Sequence, residues 1–171
     1  MFKWDRRFMD MATLVSMWSK DPSTKCGAVI VDPMNRVISV GYNGFPRGCD
    51  DSEEKYKDRD TKLLRILHAE RNAILFARRN LTGCTIYVHP LPPCAHCTGM
   101  IIQVGIARIV TREPTVEQYE KWGDHLDESR RMLKEAGVEI AFVDHPKPNP
   151  INNETQTSRG KIADWTLNND F

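Results

Sequence analysis

Apolar residues recur at helical spacing from Trp4 through Phe8, Met11 and Val15 to Trp18, which predicts an opening helix with one stripe on the core. Asp21-Pro22-Ser23 ends it. Cys26 to Val31 has the pattern of a short buried strand, Asp32-Pro33-Met34-Asn35 of a turn, and Val37 to Tyr42 of an antiparallel return. The loop Asn43-Gly44-Phe45-Pro46-Arg47-Gly48 follows. Asp50 to Asp60 is charged without an apolar period, the pattern of a surface insertion. A helix is expected from His68 to about Asn80, with Ala69, Ala73, Ile74 and Ala77 on its inner side. Thr85 to Val88 is the next strand. The prolines after it pre-set a helix start that places Cys94 and Cys97 one turn apart on one face, and Gly105 closes that helix. Arg108 to Thr111, Val116 to Ala136 and Val138 to Val143 complete the pattern as strand, helix and strand.

The predicted order is α-β-β-α-β-α-β-α-β, an α/β chain whose alternating second half implies parallel strands. A single domain is expected over residues 1–144, because 171 residues suffice for one real core. The stretch 145–171 carries three prolines and many polar residues without periodicity, and is expected to be a flexible tail or one docked on a neighbour.

Charge adds little to this picture. A formal net charge of +1 gives no sign of a polyanion-wrapping surface, so no nucleic-acid partner is expected. The five cysteines, Cys26, Cys49, Cys84, Cys94 and Cys97, are odd in number and scattered, unlike a disulfide framework. No apolar run reaches membrane-spanning length, and a cytoplasmic location is expected.

Two short stretches carry the chemistry: His68-Ala69-Glu70 and Pro93-Cys94-Ala95-His96-Cys97. Taken alone, Cys94-x-x-Cys97 fits half of a zinc ribbon or a redox pair. Paired with His68, it supplies one imidazole and two thiolates, a set that suits Zn²⁺ and leaves a fourth position open. Glu70 is near such a metal without having to bind it, and can carry protons. Both ligand groups fall at predicted helix starts, where the positive dipole end favours thiolate over thiol.

With these motifs in order, the chain resembles the deoxycytidylate (dCMP) deaminases of the cytidine deaminase superfamily. Ser19 to Val31 is similar to that family's first-strand segment, Gly41 to Gly48 to its glycine-rich substrate loop, and His68 to Ile74 to its catalytic helix. The resemblance covers about residues 4 to 143. It implies a three-layer α-β-α fold on a mixed five-stranded sheet, and one zinc per chain held by His68, Cys94 and Cys97, with Glu70 as proton shuttle. The implied reaction is hydrolysis of dCMP to dUMP and ammonia, supplying dUMP for thymidylate synthesis. By the same carry-over Asn43 contacts the deoxyribose side and the backbone at Ala69 the pyrimidine edge; Ser23, Thr24 and Lys25 are weaker candidates for the phosphate end. The family also implies a homo-oligomer, a hexamer by preference, switched on by dCTP and off by dTTP between subunits, with Phe76 and Arg79 as candidate interface and effector residues.

Other readings share the zinc site. A nucleic-acid editing deaminase would need a basic groove with stacking aromatics, and the acidic run Asp50-Asp51-Ser52-Glu53-Glu54 speaks against one. Free cytidine or riboflavin-pathway deamination is another alternative. A non-catalytic, zinc-stabilised nucleotide-binding module would need neither Glu70 nor an open metal position.

Overall fold

The structure is a computed structural model and describes residues 3–143. The tail expected over 145–171 lies outside the described residues. Along the chain run α1 (Lys3–Ser16), β1 (Gly27–Val31), β2 (Val37–Tyr42), α2 (Glu53–Lys57), α3 (Arg59–Arg65), α4 (Ala69–Ala77), β3 (Thr85–His89), α5 (Ala95–Gln103), β4 (Arg108–Thr111), α6 (Val116–Ala136) and β5 (Glu139–Phe142).

The five strands form one sheet in the order β2-β1-β3-β4-β5. β1 pairs antiparallel with both β2 and β3, whereas β3–β4 and β4–β5 are parallel. The change of sense follows from the connections. The five-residue turn 32–36 can only reverse the chain between β1 and β2, while α5 and α6 are crossovers that return it to the same end of the sheet.

Strand alternation splits the core in two. Val29 and Val31 point to the face covered by α1, with Phe8, Met9, Ala12 and Val15. Ala28 and Ile30 point to the other face, where Ala69 and Ala73 of α4, Ile101 of α5 and Leu133 of α6 pack with Ile86, Val88 and Ile109. The three layers expected from the resemblance are therefore present.

Three expectations need correcting. The stripe of α1 is rotated from the predicted one: Phe8 and Val15 are buried as expected, but Trp4 and Trp18 are exposed, and Asp5, Met9, Ala12 and Ser16 face inward. Asp5 is tolerated there because Arg108 meets it with two bonds, at 2.8 and 3.1 Å, and the Tyr87 hydroxyl donates to it at 2.9 Å. The second correction concerns the charged insertion. It folds into α2 and α3, anchored by Tyr56, whose ring stacks on Phe45 with centroids 4.4 Å apart. The helix after His68 also stops at Ala77, short of Asn80, where Arg78 adopts a left-handed conformation.

Candidate metal and catalytic site

His68 and Cys94 are the N-cap residues of α4 and α5, both extended in backbone, so each side chain projects beyond the first turn of its helix. Cys97 follows one turn inside α5 and is buried. His68 is aimed by the segment before it. Leu67 and Gly44 exchange backbone hydrogen bonds of 2.9 and 3.0 Å, which tie the loop after β2 to the entry of α4.

These elements bring His68 Nδ1 to 3.6 Å from Cys94 Sγ and 3.4 Å from Cys97 Sγ, and all three ligand atoms lie within 4.8 Å of one another. Tetrahedral zinc, with Zn–N of about 2.0–2.1 Å and Zn–S of about 2.3 Å, requires N···S separations of about 3.6 Å. One imidazole and two sulfurs at that spacing fit one zinc ion.

The electrostatics agree. Hydrogen bonding with Cys97, then with His68, pulls the Cys94 thiol down to about 3, despite its burial. Cys97 is pushed up, first by sharing its proton with Cys94 and then by burial. The Cys94 sulfur raises His68 above the ordinary imidazole range against the effect of burial, with Glu70 adding to the rise. Glu70 is 5% exposed, and burial pushes its carboxyl above the usual range. A buried carboxyl whose proton affinity is raised in this way, beside a metal-ligand cluster, is suited to acid–base work.

His68, Glu70 and Cys94 open on a cavity of about 680 Å³, roomy enough for a nucleotide. Ser23, Thr24 and Asn43 line it as well. The Asn43 amide is engaged within the protein: its Oδ1 accepts from Cys26 N–H at 2.7 Å, and its Nδ2 donates to the Thr24 carbonyl at 2.9 Å and to Asp21 at 3.4 Å. Ala69 is fully buried in the first turn of α4. Lys25 is exposed and is not part of the cavity wall. Phe76 and Arg79 are exposed at the far end of α4, with the Arg47 guanidinium over the Phe76 ring at 5.9 Å.

Several wall residues escaped the sequence reading. Lys62 of α3 is 9% exposed, and its Nζ lies 3.2 Å from Asp21 Oδ1 and 3.0 Å from Ser23 Oγ. Trp122 and His125 of α6 also line the cavity. No local pattern marked them, because Lys62 sits in a charged stretch and its partners are about forty residues away in the chain. Among the described residues no helix is long and apolar enough to cross a membrane.

Comparison with known proteins gives the same picture. The family model for the cytidine and deoxycytidylate deaminase zinc-binding region matches residues 2–113. An uncharacterized deaminase from the luxG 3' region of Aliivibrio fischeri is 48% identical over 141 residues, covering 82% of this chain and 94% of that one. The deoxycytidylate deaminase of Pongo abelii is 40% identical over 144 residues, covering 80% and 77%. Among solved structures, dCMP deaminase from the cyanophage S-TIM5, in complex with dCMP and dUMP, has a TM-score of 0.63 at 24% identity and covers 81% of this chain and 95% of that one, a likeness of fold. Motif, ligand geometry and homology converge, and the chain belongs to the cytidine and deoxycytidylate deaminase family.

Proposed function

We propose that this protein is a zinc-dependent hydrolase that converts dCMP to dUMP and ammonia. The observation that carries the reading is the buried Glu70 beside the His68–Cys94–Cys97 cluster, opening on one nucleotide-sized cavity. Deoxycytidylate deaminases at 36–40% identity over four fifths of the chain support the choice of substrate.

His68, Cys94 and Cys97 would hold the zinc, which when bound acts as a Lewis acid and lowers the pKa of water. Glu70 does the proton work. It accepts a proton from the attacking water and delivers one to ring nitrogen N3, so that C4 becomes electrophilic. It then takes the proton remaining on the C4 hydroxyl and passes it to the amino group, so that C4=O forms as the C4–N bond breaks and ammonia leaves. Positioned acid–base catalysis of this kind contributes about 10²–10⁴-fold.

Around that centre we place Ala69's backbone at the pyrimidine edge, with Ser23 and Thr24 along the wall. Asn43 serves first to pin the 21–26 segment. It reaches the sugar by exchanging its longest bond, the 3.4 Å contact to Asp21. Exposed Lys25 would act only at the rim. Exposed Phe76 and Arg79 suit a contact between copies of the chain, in a homo-oligomer such as a hexamer that answers to dCTP and dTTP. Thiolate ligands suit a reducing compartment such as the cytoplasm, where the dUMP would feed thymidylate synthesis.

Ammonia release from the zinc-loaded protein with dCMP, deoxycytidine, CMP and single-stranded DNA tests the proposal. Turnover of dCMP with the highest kcat/KM is expected. Activity confined to DNA or to free nucleosides would overturn it.

A further inference from the structure

Lys62 is an unusual residue to find in a cavity wall, because lysines are almost never buried unless paired. Its partner Asp21 is not dedicated to it. Asp21 also accepts the backbone N–H of Ser23 at 2.8 Å and of Thr24 at 3.3 Å, and the Asn43 amide at 3.4 Å. The ammonium group has three N–H donors. Asp21 and the Ser23 hydroxyl take two of them.

The charge of the wall is also unbalanced. Lys57, Arg59, Lys62 and Lys121 contribute four cations, against the carboxylates Asp21 and Glu70. Glu70 belongs to the metal end, where two thiolates would neutralise a zinc ion. The remainder is an excess of positive charge, and three of the four cations come from the α2–α3 insertion. A phosphomonoester carries about −1.5 to −2 charge at pH 7 and presents three acceptor oxygens.

We infer that Lys62, flanked by the exposed Lys57 and Arg59, is the specificity-determining group that makes the cavity select a 5′-phosphorylated nucleotide over the nucleoside. The inference rests on the deaminase reading above and assigns the phosphate end to an insertion that the motifs do not include. Asp21 holds the ammonium in place before the ligand arrives. A dianion entering there completes its third hydrogen bond and offsets the excess charge, whereas a nucleoside leaves both unmet.

Kinetics of the zinc-loaded enzyme test this through the ratio of kcat/KM for dCMP to that for deoxycytidine. Lys62→Met is expected to lower the ratio by about 10- to 100-fold, mainly through KM for dCMP, as befits a lost charge-assisted hydrogen bond. Lys62→Arg should restore part of it. Equal losses on both substrates, without rescue by arginine, would make Lys62 a structural tie and overturn the inference. Should Lys62→Met fail to fold or to hold zinc, the double variant Lys57→Ser/Arg59→Ser decides, since both side chains are exposed: a lowered ratio supports the assignment and an unchanged one overturns it. Calorimetric binding of dUMP and deoxyuridine separates this from the reaction itself. If the wild type deaminates neither substrate, the deaminase reading fails; a preference for dUMP that Lys62→Met abolishes would still uphold the phosphate site, and its absence would overturn that too.

Discussion

Gly41 in β2 lies directly against Ala73 in α4: a Cβ on Gly41 would collide with the backbone nitrogen of Ala73 and the carbonyl of Ala69. At this point α4 is seated on the sheet by direct backbone contact. Gly41→Ala should force α4 outward, and overpacking of this kind costs about 1–3 kcal/mol. Since His68 and Glu70 ride on α4, kcat should fall as well. Urea denaturation and steady-state kinetics of the variant check both, and wild-type values in both would refute the close approach.

Ligand and proton carrier are separable. Glu70→Gln keeps the size of the side chain but cannot carry a proton, so zinc content should stay near one per chain while kcat falls about 10²–10⁴-fold. Cys94→Ala or His68→Ala should lose the metal and destabilise the fold, because the site's binding free energy is part of the folding free energy. Metal analysis by mass spectrometry distinguishes the two classes. Zinc loss in the glutamine variant with the cysteine variant fully loaded would reverse the roles.

The Asp5–Arg108 pair is structural. Asp5→Ala removes the bidentate partner of a largely buried guanidinium group that keeps its 2.9 Å bond to Glu139, and losing charge-assisted hydrogen bonds of this kind costs about 1.5–3 kcal/mol. The expected result is a large drop in denaturation midpoint at unchanged zinc stoichiometry, since α1 lies on the sheet face opposite α4 and α5. An unchanged midpoint would show that the pair contributes nothing.

Asn43→Ala removes partners from the half-buried Cys26 N–H and Thr24 carbonyl, bonds worth about 0.5–1.5 kcal/mol each. Stability and dCMP turnover should therefore fall together. A variant of unchanged melting temperature with depressed kcat would instead assign Asn43 to the substrate alone.

If the chain forms a regulated oligomer, dCMP dependence should be sigmoidal and become hyperbolic with dCTP, and Arg79→Glu should weaken that response at constant zinc content. Hyperbolic kinetics indifferent to dCTP and dTTP would remove the switch while leaving the chemistry.

His68, Glu70, Cys94 and Cys97 were legible because the chemistry demands those side chains at short fixed spacing. The strands were legible because a sheet buried on both faces writes continuous apolar runs, as in Gly27–Val31. Lys62 and Asp5 were not. A buried ion has the same letter as a solvated one, and what licenses its burial is a partner elsewhere in the chain: Asp21 for Lys62, Arg108 for Asp5. The rotated stripe of α1 has the same cause, since the Arg108 and Tyr87 contacts draw Asp5 inward and the two tryptophans out.

The metal ligands straddle β3, with His68 before it and Cys94 and Cys97 after it. During synthesis, the chain up to His89 can already pair β1 with β2 and β3, yet it holds a single ligand. A nascent chain therefore has no three-point grip on zinc until the start of α5 has left the ribosome. A zinc ion bound there would join the starts of α4 and α5 across β3, so its binding free energy would depend on the β1–β3 pairing that brings the two helices together.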